Sequence, residues 1–333
     1  MSRSPFAAEP VVFLRTGGWS AEAGAAVAVG NFDGVHLGHA EIVRRLRDAA
    51  DRRGVPAAAL TFDPHPASLV RPVAAPPPLT TPERRAQLLL ALGLDAVLVQ
   101  PVDERFVALE AEAFYRDVLR GRLRAVALVE GADFRFGAGR RGDVGLLGAL
   151  AAADGVTLEV VPPVLCGGAA VSSSRVRTLV AAGDGAAANR LLTDTYRVSG
   201  TVVHGAHRGA GLGFPTANLA AVATLLPAAG VYAARASVAG AAGSFPAAVH
   251  IGPNASFGET AISCEAHLIG FAGDLYGRRL DVDFLERVRD TRRFDSIDEL
   301  VAQMHADVAR AAEIAGAAAD IRAPDSPRSA HAT

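Results

Sequence analysis

The chain has 333 residues, enough for two domains each with a core of its own. Half of the residues are apolar, a fifth are charged and the net charge is −2, a balance that argues against general nucleic-acid binding, which leaves a basic excess. No apolar run reaches the roughly 18 to 20 residues of a membrane span, and no charged-then-apolar signal pattern opens the chain, so a cytoplasmic protein is expected. Cys166 and Cys264 have no metal-ligand spacing and read as small buried apolar residues.

The first strand-like run, 25–30, stops at a glycine-rich turn, and residues 30–39 read Gly-Asn-Phe-Asp-Gly-Val-His-Leu-Gly-His. A helical pattern follows, with Ile42, Leu46 and Ala49 on one face. A helix start offers unpaired N–H groups and a partial positive charge, which suits an anion such as phosphate. Glycines at 30, 34 and 38 let a ligand approach the backbone, and His36 and His39 are placed to donate to phosphoryl oxygens. A tight βα turn that merely contains two histidines is the plainer alternative.

Further strand-like runs fall at 55–62, 96–100, 125–130 and 157–161, with helical stretches at 82–92, 111–119 and 143–153; Pro82 suits a first helical turn. The alternation predicts a parallel sheet with helices on both faces, and ligands beyond the carboxyl ends of its strands, where the 30–39 turn falls. A short helix near 183–195 precedes a change of pattern. From Tyr196 come strands at 197–203, 231–238, 247–251, 262–269 and 280–284, which suggest a closed barrel. A last amphipathic helix is expected at 296–314, with Ser296 and Glu299 as a capping box. The aperiodic residues after it are expected to be disordered.

Phe32-Asp33-Gly34 followed by His-x-Gly-His resembles the signature of nucleotidyltransferases that transfer AMP or CMP, and more narrowly the first domain of bacterial bifunctional riboflavin kinase/FMN adenylyltransferases. Three later segments match that family in order: Thr61-Phe62-Asp63-Pro64-His65-Pro66, the 131–137 stretch with Arg141-Gly142-Asp143 after it, and Ser172-Ser173-Ser174-Arg175-Val176-Arg177. Alone, these segments read as a stiff loop, a loop with two core aromatics and a helix N-cap. The resemblance implies an α/β fold: a Rossmann-like nucleotidyltransferase domain at 11–182, a linker at 183–195, a β-barrel riboflavin kinase domain with a closing helix at 196–315, and a tail at 316–333. It implies that His36 and His39 hold the ATP triphosphate, that Ser173 and Arg175 grip its outer phosphates, and that Gly30, Asn31, Phe32 and Asp33 shape the ATP site. Phe62, Pro64, His65, Pro66, Asp133, Phe134 and Phe136 are the flavin-side walls on the same footing.

In the barrel half, Gly211-Leu212-Gly213-Phe214-Pro215-Thr216-Ala217-Asn218-Leu219 resembles the riboflavin kinase motif; alone it would be a hairpin bend. There is no G-x-x-x-x-G-K-[ST] loop, so this is no P-loop kinase. The resemblance assigns ATP binding to Gly213, Pro215, Thr216 and Asn218, with Thr216 and Asn218 as Mg2+ ligands. Glu265 is its general base, in a strand where alternation sets Ser263, Glu265 and His267 on the face opposite Ile262, Cys264, Ala266 and Leu268. Asp274, Tyr276 and Gly277, together with Arg293-Phe294-Asp295-Ser296, would complete the flavin pocket. Expected partners are riboflavin, FMN and ATP with Mg2+, with no nucleic acid and no membrane; a homo-oligomer is compatible with the sequence. Departures from the family pattern are Glu130 at an apolar strand position, Val102-Asp103 after Pro101, and the 250–259 stretch with His250 and Pro253. A paralogue for a modified flavin, one with a single active domain, and a flavin-binding regulator without turnover stay open.

Overall fold

The computed structural model describes residues 9–15, 24–205, 208–253 and 262–322. Its chain divides into two compact units, residues 1–176 with 191–194, and residues 177–190 with 195–333. The departing stretch at 250–259 is therefore described only as far as Pro253, and the tail only as far as Arg322.

The first unit is built on a six-stranded sheet: β1 (Val11–Leu14), β2 (Ala25–Val29), β3 (Ala57–Asp63), β4 (Ala96–Pro101), β5 (Ala125–Gly131) and β6 (Thr157–Val161). Their order is β1-β4-β3-β2-β5-β6, all parallel except the antiparallel edge strand β1. β1 has no counterpart among the strands expected from the sequence, since four residues carry too little pattern to stand out. β2 is buried along its whole length, as befits a strand covered on both faces. One face packs on α1 (Leu37–Asp51) and α2 (Pro82–Ala91) through Val43, Leu46 and Leu89. The other packs on α3, which is α-helical over Ala111–Ala113 and π-helical over Phe114–Arg122, and on α4 (Val144–Ala153). Thr81 and Asp143 cap α2 and α4 by accepting from Arg84 N and Leu146 N, and Pro82 takes the first-turn place predicted for it. The ribbon β7 (Leu165–Cys166) and β8 (Ala169–Ala170) leads to α5 (Ser173–Ala181), which runs across the division between the units.

After α6 (Gly185–Asn189), the second unit forms a closed six-stranded barrel. Its strands are β9 (Arg197–Val203), β10 (Ala217–Ala220), β11 (Gly230–Val238), β12 (Phe245–Gly252), β13 (Ser263–Leu268) and β14 (Arg279–Arg289). They follow one another as β9-β10-β13-β12-β11-β14, and closure leaves no sheet edge. α7 (Ile297–Arg322) packs on β11, β12 and β14.

Four expectations need correction. Residues 217–220 are a barrel strand rather than a bend, because Ala217 and Asn218 pair with Ala266 and Glu265. β14 continues five residues past Phe284, with bulges in its pairing to β11 that carry it around the barrel. α7 runs eight residues past Ile314, so 316–322 are helical; alanine-rich sequence is good helix material even without an apolar stripe. Finally, Cys166 is only part-buried and Ile262 lies exposed before its strand. Cys264 is buried, which pushes its thiol up to about 12 and leaves it inert.

Candidate active sites

In the first unit the chain leaves β2 for β3 and β4 on one side and returns to β5 and β6 on the other, so the strand order reverses between β2 and β5. A crevice opens at such a point. Main-chain pairing of β2 with β5 ends at Val27 and Leu128, and Gly30–His39 begins just beyond. That turn holds Phe32 (φ 46°) and Val35 (φ 41°) in the left-handed region, which persists only where the surroundings fix it. Asp33 supplies the fixing. Its buried carboxylate accepts from Leu79 N (2.9 Å), Thr80 N (2.9 Å) and the Thr80 hydroxyl (3.0 Å), with the Arg85 guanidinium 3.9 Å away. Asp33 therefore shapes the site from behind, and Phe32, 2 % exposed, sets its ring edge-on to His39.

His36 and His39 cap the start of α1 for each other. The His39 amide donates to Nδ1 of His36, and the His36 amide donates to Nδ1 of His39, both at 3.3 Å. Their rings stack with centroids 3.6 Å apart. Each Nδ1 is thereby an acceptor, so the proton of each neutral ring belongs on Nε2. Burial, the adjacent His36 and then Arg85 hold the His39 imidazole well below its ordinary value. A Cβ on Gly38 would stand 3.1 Å from the His36 ring, so a larger residue there would push that ring by a few tenths of an ångström.

The other predicted residues of this unit divide by exposure. The Ser173 hydroxyl donates to the Asp33 carbonyl (2.7 Å), tying α5 to the turn, while Ser172 accepts from Arg175 N and so begins that helix. Arg175 donates through Nη1 to the carbonyls of Cys166 and Ala169, holding the β7–β8 ribbon. Asn31 gives its carbonyl to the Thr61 hydroxyl. His65 caps a single helical turn, Pro66–Val70, and Pro64 and Asp133 are exposed. Phe62 and Phe136 are core residues, joined through Phe106 and Phe114; Phe134 stacks on Phe136 and is part-buried. Arg85 was missed by sequence reasoning, because it looks like one more arginine on a helix. It is 5 % exposed and joins Thr61, the Phe62 carbonyl and Asp33. The chain contains no lysine, so any cationic grip on phosphate falls to arginine or histidine.

Glu130 departs from the family pattern at an apolar strand position, and the fold gives it a place. Its carboxyl, 2 % exposed, accepts from Val29 N (2.8 Å) where the backbone pairing of β2 and β5 has stopped. Burial pushes its pKa well above 4.5 against the pull of that one N–H. A raised carboxyl pKa means the folded state prefers the protonated form, so the contribution to stability is full at low pH and is lost as pH rises through the raised value. Melting curves of Glu130→Gln and the parent are expected to differ little near about pH 4 and increasingly in favour of the variant towards about pH 8. An unchanging difference would show that the carboxyl ionises freely.

In the second unit, Glu265 lies in a row across three strands. Asn218 of β10 and His250 of β12 are its direct cross-strand partners. Cys264, Ala266 and Leu268 are buried while Ser263, Glu265 and His267 are half-buried, so the predicted alternation holds and Glu265 is on the outer face. Its carboxylate accepts from the hydroxyls of Ser263 (3.0 Å) and Thr216 (3.4 Å). His267 donates from Nδ1 to the Pro215 carbonyl (2.8 Å), and Phe214 is wedged against His267 and His305. Gly213 (φ 88°) lets the loop turn into β10. At the barrel rim, Tyr276 N donates to Asp274, and Gly277 N donates to the Val202 carbonyl. The exposed Tyr276 ring stacks on His204 at 3.8 Å.

His204 and Gly205 are further residues that sequence reasoning missed. A Cβ on Gly205 would lie 2.2 Å from Nδ2 and 2.6 Å from Cγ of Asn218. Gly205→Ala is therefore expected to displace that amide and lower kcat/KM for the barrel's reaction roughly ten-fold or more, with the first unit's reaction unchanged. Equal kcat/KM values would show that the Asn218 position is not critical.

Comparison with known proteins fits both halves. The FAD synthetase family profile matches residues 19–175, and the riboflavin kinase profile matches residues 192–315. A bifunctional riboflavin kinase/FMN adenylyltransferase of Escherichia coli K12 is 37% identical over 88% of this chain and 93% of its own length. The protein of that name from Bacillus subtilis is 32% identical over 86% and 91%. The chain belongs to this family. A crystal structure titled as a macrolide-efflux protein from Streptococcus pneumoniae has the same fold, with TM-score 0.77 and 30% identity over 87% of this chain and 94% of that one. No described helix is long and apolar enough to cross a membrane. The family's two-part layout accounts for a sheet with a phosphate-type turn and a barrel with an outer-face glutamate in one chain.

Proposed function

We propose that this chain makes FMN from riboflavin in its barrel and FAD from FMN in its α/β unit, each step using ATP. The mutual cap of His36 and His39 supports the reading best, because it occupies both Nδ1 atoms and leaves the proton of each neutral ring on Nε2, at a helix start just past the carboxyl end of β2. In the first unit an FMN phosphate oxygen attacks the α-phosphorus of ATP, the bond to the β-phosphate breaks and pyrophosphate leaves. Nε2–H donors on the triphosphate stabilise charge as it moves to the leaving oxygens. Arg175, at the start of α5 beside Ser173, reaches the outer phosphates, and the exposed residues Pro64 and Asp133 with Phe134 form the flavin side.

In the barrel, the ribityl 5′-hydroxyl attacks the γ-phosphorus, Glu265 takes the hydroxyl proton and ADP leaves. Tyr276, Asp274 and Gly277 hold the flavin. The hydroxyl of Thr216 and the amide of Asn218 are hard oxygen donors beside a carboxylate, a set that fits Mg2+. Among the described residues no group of three or more His, Cys, Asp or Glu could hold a metal alone, so these two side chains would hold the ion together with the phosphates. The ion supplies charge neutralisation on the phosphoryl oxygens. Incubation with riboflavin, ATP and magnesium, followed by chromatography, is expected to show FMN and then FAD. FMN without FAD would restrict the reading to the barrel, and bound but unconverted riboflavin would replace it with a flavin-binding regulator.

A further inference from the structure

Main-chain pairing of β2 with β3 ends at Val29 and Leu60, and the Gly30 amide donates to the Leu60 carbonyl (3.0 Å). The next link is made by a side chain: the Thr61 hydroxyl donates to the Asn31 carbonyl at 3.0 Å. A hydroxyl has one proton to give and can accept as well. Nη1 of Arg85, near the start of α2, donates to that Thr61 oxygen (2.9 Å) and to the Phe62 carbonyl (3.1 Å), which directs the hydroxyl proton at Asn31. The same guanidinium lies 3.9 Å from the Asp33 carboxylate, which Leu79 N and Thr80 N also hold. Thr61 is fully buried, and Arg85 and Asp33 are nearly so. One cation therefore ties the 30–39 turn to the strand that leads into the 61–66 segment. Burying a guanidinium costs more than an apolar side chain of similar volume would, so stability is a poor reason for this arginine.

We propose that Arg85 is a positioning residue for adenylyl transfer: through the Thr61 hydroxyl it fixes Asn31, at the start of the 30–39 turn, against the end of β3, and so holds the triphosphate at one distance from the flavin phosphate. This rests on the first unit as the site of FAD formation. An in-line attack is sensitive to the separation of its reactants, and a misplacement of about 1 Å costs roughly a hundred-fold in rate. Loss of the relay therefore slows the chemical step while each substrate still binds. Because Arg85 and Thr61 serve one contact, their losses are coupled and do not multiply.

The test uses the full chain with Arg85→Met, Thr61→Val, Thr61→Ser and the double variant Arg85→Met/Thr61→Val. Single-turnover conversion of FMN to FAD, with enzyme and ATP in saturating excess, is followed by chromatography. That rate constant reports the chemical step in the folded molecules, whatever fraction is unfolded. KM values for ATP and FMN are measured alongside, and FMN formation from riboflavin checks the rest of the chain. Thr61→Val, which swaps a hydroxyl for a methyl, is expected to lower the single-turnover rate roughly ten-fold, and Arg85→Met roughly ten- to hundred-fold, with both KM values little changed. Thr61→Ser, which keeps the hydroxyl, should stay near the parental rate. The double variant should be slowed by less than the product of the two single losses. If Arg85→Met does not fold, Thr61→Val and Thr61→Ser decide the matter. A parental rate in Thr61→Val, a loss confined to KM, an equal loss in Thr61→Ser, or full multiplication in the double variant would overturn the inference. A parent that forms no FAD overturns the reading of the first unit and this proposal together, whereas an active parent beside a fully active Thr61→Val overturns this proposal alone.

Discussion

Replacing His39 by alanine is expected to remove FAD formation from FMN while FMN formation from riboflavin survives. The expected fall in rate is about a hundred- to ten-thousand-fold, the range for a group that handles charge or a proton in the transition state. The side chain has two jobs that can be taken apart. Through Nδ1 it accepts the His36 amide and completes the start of α1; the donor role proposed for it toward the triphosphate falls to Nε2. His39→Asn offers an acceptor near the Nδ1 position and nothing at Nε2, and should keep the helix start but not the activity. His39→Gln places an amide nearer Nε2 and should recover part of it. Product ratios from riboflavin, measured by chromatography, decide the matter. Equal loss of both activities would contradict independent sites, and unimpaired FAD formation would remove His39 from the reaction.

Glu265→Gln carries the second large expectation. The glutamine keeps the shape of the side chain and one oxygen for Ser263 or Thr216, but not the basicity. FMN formation should fall by about a hundred- to ten-thousand-fold, and FMN supplied from outside should still become FAD at the parental rate. Kinase turnover at an unchanged rate would assign the proton to another acceptor.

The legible parts of this molecule were those where backbone geometry restricts the side chain. Gly34, at φ 82°, could be placed in a turn because an ordinary residue is strained there, and the 30–39 motif followed. Alternation placed Glu265 and His267 on one face of β13 because period two is rigid. What escaped notice was settled by distant partners. β10 looked like a bend because its four residues owe their extended form to β9 and β13, tens of residues away. Arg85 carries no local sign that it will be buried against Thr61 and Asp33. Gly205 matters through space, by the room it leaves for Asn218. For Phe62 and Phe136 the motif was visible, yet only the packed rings distinguish core from wall.

The reciprocal imidazole cap also sets a conflict between durability and turnover. Serine or aspartate at position 36 would terminate α1 more firmly, and the helix is begun by a weaker residue instead. A screen that rewards thermal resistance alone would be drawn towards such replacements and, on the role proposed for His36, would discard the chemistry with them. Any effort to harden this enzyme should leave the first turn of α1 untouched and seek its gains elsewhere.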